Sequence, residues 1–170
     1  MVEKVEWAAR ARSASEGFII CARTDARGVE GFDAAVARAR AYVEAGADMI
    51  FPEGLASEEE FASFAAAMGR GPNASASLQR GSARPPYLLA NMTEFGKTPM
   101  IPLSRFEALG YSCVIYPVTL LRVAMGAVTR ALEALRRDGS AEGLLGQMQT
   151  RQELYGLVGY KPGEAWEWPG

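Results

Sequence analysis

The chain has 170 residues, 49% of them hydrophobic and 22% charged, the composition of a globular domain long enough to bury a sizeable core. A net charge of −2 and a pI near 5.3 argue against nucleic acid or an anionic membrane as partner, and no apolar run is long enough to span a bilayer. There is no histidine, which excludes Ser-His-Asp and Cys-His catalysis within the chain and leaves acid–base work to carboxylates, Lys, Tyr, Cys or bound water.

In chain order, Val2 to Arg12 is rich in helix formers, with Val2, Val5, Ala8 and Ala9 at helical spacing. The apolar run Phe18 to Ala22 leads into Arg23-Thr24-Asp25 and reads as a strand. Asp33 is a candidate N-cap for a helix over Ala34 to Ala45, which Gly46 stops. A second strand over Asp48 to Pro52 leads into Glu53-Gly54. Ser57 and Glu60 have capping-box spacing for a helix to about Met68.

The stretch from Gly69 to Pro86 is rich in Gly, Ser, Ala and Pro and reads as a flexible insertion, a surface loop without function. The third strand, Tyr87 to Ala90, leads into Asn91-Met92-Thr93-Glu94-Phe95-Gly96. Ser104 and Glu107 repeat the capping spacing for a short helix that ends at Gly110. A fourth strand over Cys113 to Pro117 precedes a helix capped by Thr119 and running to about Arg137; a last helix covers Leu144 to Val158. The tail Trp166-Glu167-Trp168 reads as a packing segment.

Apolar runs alternating with amphipathic helices indicate an α/β fold with a parallel sheet, in a single domain over 1–170. The runs alternate little, so both sheet faces are expected to be covered. Such units build either a doubly wound sheet or a (β/α)8 barrel. Neither GxGxxG after the first strand nor GxxxxGK[ST] is present, so no dinucleotide or P-loop site is supported. Cys21 and Cys113 lie far apart, each in an apolar run, and are expected to be buried reduced thiols. With no leader pattern at Met1, the chain is read as cytoplasmic.

Parallel α/β folds place chemistry at the carboxyl ends of the strands, so the polar residues after each run are the candidate site. Arg23 follows a strand, where its planar fork either binds a substrate carboxylate or braces Asp25 or Glu53. Glu53 is a candidate general base, a ligand to a metal through water, or the partner of Arg23; a lone Glu is a weak metal signal. Asn91 and Thr93 are two apart and so share one side of the strand end. Glu94 lies between them and Phe95 and points elsewhere. Arg122 and Arg151, if they join Arg23 at one mouth, suit a substrate with two or three carboxylates.

The residues from Ala22-Arg23-Thr24-Asp25-Ala26, Gly46 to Glu53, Leu89 to Gly96, Thr98-Pro99, Tyr116-Pro117, Arg122 and Met148 to Tyr155 resemble the isocitrate lyase / phosphoenolpyruvate mutase superfamily, and among its members 2-methylisocitrate lyase and its relatives. The resemblance covers nearly the whole chain apart from the insertion and the last few residues. It implies a (β/α)8 TIM barrel with a swapped carboxy-terminal helix, usually in a tetramer. This chain matches about the last four βα units plus the C-terminal helices.

It also implies a Mg²⁺-dependent carbon–carbon lyase that cleaves a 2-hydroxy tricarboxylate to succinate and a 2-oxo acid, pyruvate in the case of methylisocitrate. A phosphoenolpyruvate-type phosphonomutase and an oxaloacetate hydrolase are the enzymatic alternatives, and an inactive half-barrel is the third. By resemblance Arg23 and Glu53 line the site as catalytic residues, with Glu53 near the metal's waters. Asn91, Thr93, Arg122 and Arg151 hold substrate carboxylates. The family's metal-binding aspartates and its Lys-(Lys/Arg)-Cys-Gly-His loop have no counterpart here. The Mg²⁺ ligands are therefore expected from an amino-terminal half, and the chain alone is expected to be inactive, in a homo-oligomer or joined to that half.

Overall fold

The computed structural model describes residues 1–12, 17–74 and 84–165. Their contacts group into two compact units, 1–120 and 121–170. The first carries α1 (Val2–Ala11), β1 (Cys21–Thr24), α2 (Ala26–Val29), α3 (Phe32–Glu44), β2 (Met49–Pro52), α4 (Glu58–Ala67), β3 (Tyr87–Asn91), α5 (Leu103–Ala108) and β4 (Cys113–Ile115). At its end starts α6 (Thr119–Asp138); a 3-10 helix (Glu142–Gln147) and α7 (Arg151–Leu157) follow in the second unit.

The four strands are parallel and pair in sequence order, β1-β2-β3-β4. Crossovers between parallel strands are right-handed. When each strand is laid down beside the last in one direction, every right-handed crossover lands on the same face. The burial pattern shows this directly. Ala22, Thr24, Ile50, Pro52, Leu88 and Ala90 are buried, while their neighbours Cys21, Arg23, Met49, Phe51, Leu89 and Asn91 are not. The expectation that helices cover both faces is thus corrected: within the first unit one face is packed and the other is bare. The order contains no reversal, so the sheet is wound singly, unlike a doubly wound sheet with its switch point.

The packed face builds the core. Ala35, Ala39 and Tyr42 of α3, Phe61, Phe64 and Ala65 of α4, and Phe106 of α5 meet Ile50, Leu88 and Met92 from the sheet. Phe61, Phe106 and Tyr111 form an edge-to-face trio with ring centroids 5.0–5.5 Å apart, a favoured aromatic geometry. The Tyr111 hydroxyl donates to the Phe61 carbonyl at 3.3 Å, which satisfies its one polar atom, and burial pushes its pKa up. Two glycines are required by close approach. A Cβ on Gly46 would lie 2.8 Å from the Ala9 Cβ of α1, and one on Gly110 would lie 2.6 Å from the Gly71 nitrogen.

Several local expectations hold. Ser57 caps α4 by accepting from the Glu60 N–H at 3.3 Å, and Gly46 and Gly110 follow their helices with positive φ. Others shift. Helix α3 begins at Phe32 after Gly31, whose φ of 98° only glycine adopts readily, so Asp33 sits inside the first turn, where its charge favours the helix N-terminus. Helix α5 begins at Leu103 with Pro102 as its extended N-cap and no side-chain cap from Ser104. Strand β1 starts only at Cys21, and Phe18 and Ile19 are exposed ahead of it. Cys21 is exposed and Cys113 half-buried, because both point to the bare face; both are free thiols.

In the second unit the expected helix over Leu144–Val158 is two pieces. Gly143 and Gly146 weaken its first half, which is 3-10. Thr150 then opens α7 with a full capping box: its side chain accepts from the Glu153 N–H, while the Glu153 carboxylate accepts from the Thr150 N–H. Of the insertion at 69–86, residues 75–83 lie outside the described residues, as does the Trp166–Trp168 tail. The insertion's flanks are anchored: Arg70 donates to the carbonyls of Pro85 and Pro86 at 2.7 and 2.9 Å and stacks over Tyr87.

Candidate active site

The ends of three strands carry one hydrogen-bonded network. Arg23 is the third residue of β1, on its bare face, with its guanidinium 5.0 Å over the Phe51 ring from β2. Its Nε and Nη2 donate to the two oxygens of Asp25 at 3.0 and 2.7 Å, a bidentate fork, and Nη2 lies 3.5 Å from Glu53 Oε2. The Asn91 Nδ2 donates to the same Glu53 oxygen at 3.3 Å, and the Thr93 hydroxyl donates to Asn91 Oδ1 at 2.9 Å. The chain Asp25–Arg23–Glu53–Asn91–Thr93 therefore crosses from β1 to β3 without interruption.

Backbone geometry holds each member in place. The Glu53 N–H donates to the Thr24 carbonyl at 3.0 Å and Gly54 turns away with φ 75°, so Glu53 is fixed just past the strand. Thr24 is buried, and its hydroxyl accepts from the Ala26 N–H at 3.3 Å, which turns β1 into α2. The Met92 N–H donates to the Ile115 carbonyl at 2.9 Å, extending the β3–β4 pairing to the level of the network. Asn91 and Thr93 thereby share one side, as their spacing predicts.

The electrostatics follow from the pairing. Hydrogen bonding to Arg23 holds the Asp25 carboxyl below the usual carboxylate range, and hydrogen bonding to Asp25, then the charge of Glu53, holds Arg23 more firmly protonated. Arg23 is half exposed and Glu53 only 27% exposed, so the network is open to solvent on the side of the guanidinium and more enclosed at the carboxylate.

Arg23, Glu53, Asn91 and Thr93 are brought together as one group. Arg122 lies one turn into α6 and Arg151 is the first residue of α7; both are exposed and belong to the second unit. Asp25 is an integral arm of the network, the brace to Arg23 that the sequence offered. One feature escaped the sequence. Glu94 accepts a hydrogen bond from the Thr119 hydroxyl, tying the loop after β3 to the start of α6. No local signal links residues 25 positions apart. Phe95, next to it, is 96% exposed with φ 64°, a left-handed conformation uncommon for a bulky residue.

Among the described residues no three His, Cys, Asp or Glu side chains cluster closely enough to hold a metal ion. The donor chemistry at Glu53 nevertheless fits Mg²⁺ held through water. Both described donors meet Oε2, and Mg²⁺ keeps several waters that need such acceptors.

A singly wound parallel sheet with a guanidinium–carboxylate–amide network at its strand ends defines an α/β protein. The family model described as phosphoenolpyruvate phosphomutase matches residues 1–136, and the chain belongs to that family. Its curated relatives include proteins named 2-methylisocitrate lyase. It is 49% identical over 161 residues to a Corynebacterium glutamicum protein named "Probable 2-methylisocitrate lyase 1", covering 95% of this chain and 48% of that one. It is 47% identical to the 2-methylisocitrate lyase of Aeropyrum pernix, covering 94% and 46%. The chain thus spans about half the length of the relatives it matches.

Among solved structures, a 2,3-dimethylmalate lyase of the PEP mutase/isocitrate lyase superfamily aligns with a TM-score of 0.73 at 33% identity, covering 93% of this chain and 50% of that one. A phosphonopyruvate hydrolase complex with oxalate and Mg²⁺ aligns with a TM-score of 0.69 at 26% identity, covering 94% and 52%.

Proposed function

We propose that this chain is the substrate-gripping half of a (β/α)8 carbon–carbon lyase that cleaves a 2-hydroxy tricarboxylate of the methylisocitrate type to succinate and a 2-oxo acid. The observation that carries the reading is the Asp25–Arg23–Glu53–Asn91–Thr93 network across three strand ends. The lyase relatives at 47–49% identity support the reaction class. The single winding and the bare face support a partial barrel, since a barrel interior is a sheet face that no helix covers.

The residues divide the work by charge. Arg23 offers a guanidinium oriented by Asp25, so a substrate carboxylate meets a fork already held in place. Asn91 and Thr93 are uncharged and orient a second carboxylate or hydroxyl. Glu53, held by Asn91, would accept hydrogen bonds from the waters of a Mg²⁺ ion, which would supply stabilisation of developing negative charge. Arg122 and Arg151 are assigned to further substrate carboxylates.

The sequence has no Cys-Gly-His segment, and Cys21 and Cys113 both lie within strands. The group that moves the proton is therefore assigned to the part of the relatives that this chain does not match, and the 170-residue chain alone is inactive. The test is a Mg²⁺-dependent assay of the purified chain with 2-methylisocitrate, read as pyruvate formed. No turnover is expected alone, and turnover is expected when the relatives' amino-terminal half is supplied. Turnover by the chain alone overturns the division of labour, and failure of the reconstituted protein overturns the lyase reading.

A further inference from the structure

The corner after β1 meets the corner after β2 twice. Arg23 reaches Glu53, and Arg27 of α2 grips Glu60 in the first turn of α4. The second contact is the tighter. Arg27 Nε donates to Glu60 Oε2 at 2.9 Å and Nη2 to Oε1 at 2.7 Å, a bidentate fork. The Arg27 and Glu60 side chains are 32% and 25% exposed, against 56% for Arg105 in the α5–α4 pair with Glu58. Hydrogen bonding to Arg27 holds the Glu60 carboxyl below the usual carboxylate range.

The Ser57–Glu60 spacing is that of a capping box, in which Glu60 reaches back to the Ser57 N–H. The structure closes only the Ser57 half. The Glu60 carboxylate takes the N–H one residue earlier: Oε2 accepts from Ala56 at 2.8 Å. Directly before Ala56, the Leu55 carbonyl accepts from the Thr98 hydroxyl at 2.6 Å, and Leu55 itself is fully buried. Residues 55 and 56 are therefore clamped from α2, through Glu60, and from the loop after β3. Gly54 alone, with φ 75°, joins that clamped stretch to Glu53.

We propose that Arg27, Glu60 and Thr98 are positioning residues that hold Glu53 at its place in the network. A glycine link is free to swing unless both of its ends are fixed. The Glu53 N–H on the Thr24 carbonyl fixes one end, and the clamp on Leu55 and Ala56 fixes the other. A carboxylate that meets the waters of a metal needs such support, since a site works only when its groups are held within about 0.5 Å of the productive geometry. The purpose of the clamp rests on the role proposed for Glu53; its existence does not.

The test is ¹⁵N NMR of the 170-residue chain, read at the Asn91 side-chain amide, whose Nδ2 donates to Glu53. Glu53→Ala defines that signal without its acceptor. In Arg27→Met and in Thr98→Val the Asn91 signal is expected to move toward the Glu53→Ala position. Arg27→Lys is expected to move it the same way, because lysine keeps the charge and loses the fork. Glu58→Gln, which breaks the other ion pair of α4, is expected to leave it in place. In the protein reconstituted with the amino-terminal half, Arg27→Met is expected to lower kcat by up to about 100-fold, the cost of an ångström of misplacement, with the substrate KM little changed. An Asn91 signal that stays in place in Thr98→Val and Arg27→Lys, or that Glu58→Gln moves equally, overturns the proposal. Moved Asn91 signals with no turnover by any reconstituted protein, the unmodified one included, uphold the clamp and overturn the lyase reading alone.

Discussion

The two faces of the one sheet share four strands and differ in everything else. On the packed face, Ile50, Leu88, Ala90 and the Phe61–Phe106–Tyr111 trio are buried against helices. On the other, one residue along each strand, Arg23 and Asn91 stand with Phe51 and Leu89 outside that core. Alternation in a strand thus divides the side chains at single-residue resolution: one set holds the fold and the next carries the polar network. Substitutions on the packed face are expected to act on stability, and those at the bare face's strand ends on ligand binding.

The largest effect expected from this division is in the trio. Phe106→Ala removes a fully buried ring and is expected to cost about 3–5 kcal/mol in a urea titration. A loss near zero would break the comparison, since it would mean that the packed face does not hold the fold. Next comes Tyr111→Phe, which keeps the ring and removes the hydroxyl that donates to the Phe61 carbonyl. About 1 kcal/mol is expected, with an unchanged m-value showing that the folded state is otherwise intact.

Across the sheet, Arg23→Ala is expected to move the urea midpoint little, since exposed ion pairs contribute roughly 0–1 kcal/mol, while succinate or methylisocitrate binding by calorimetry to the protein reconstituted with the amino-terminal half is lost. Binding that survives the change would put the site elsewhere.

The smallest effect sharpens the electrostatics. Asp25 titrates below the usual carboxylate range because Arg23 holds its charged form. A lowered folded pKa contributes stability above the ordinary Asp value, lost as pH falls through the lowered one. That contribution is small for so exposed a pair. It is best read by NMR titration of Asp25, whose pKa should rise to the ordinary range in Arg23→Gln. An unchanged titration in that variant would mean that another group holds Asp25.

Much of the local structure was legible because its causes are local. Ser57 and Glu60 are one helical turn apart, and Gly46 and Gly110 mark helix ends by a conformation that glycine adopts readily. The same logic applies to Thr150 and Glu153, whose capping box stands in plain S/T-x-x-E spacing inside what reads as one helix. Asp33 and Ser104 failed as caps because Gly31 and Pro102, just upstream, supply the backbone turn without a side chain. Arg23, Glu53, Asn91 and Thr93 were identifiable as polar residues closing apolar runs.

What the amino-acid order determined by itself was the succession of strands and helices and the identity of the side chains at the strand ends, since both follow from interactions within a few residues. Only the tertiary structure decided that the core helices of the first unit fall on one face of the sheet, that Asn91 reaches Glu53 across 38 positions, and that Glu94 meets Thr119. These depend on crossover hand and strand register, which no window of neighbouring residues contains. The same cause bares the opposite face and joins the polar clusters after β1, β2 and β3 in one hydrogen-bonded network.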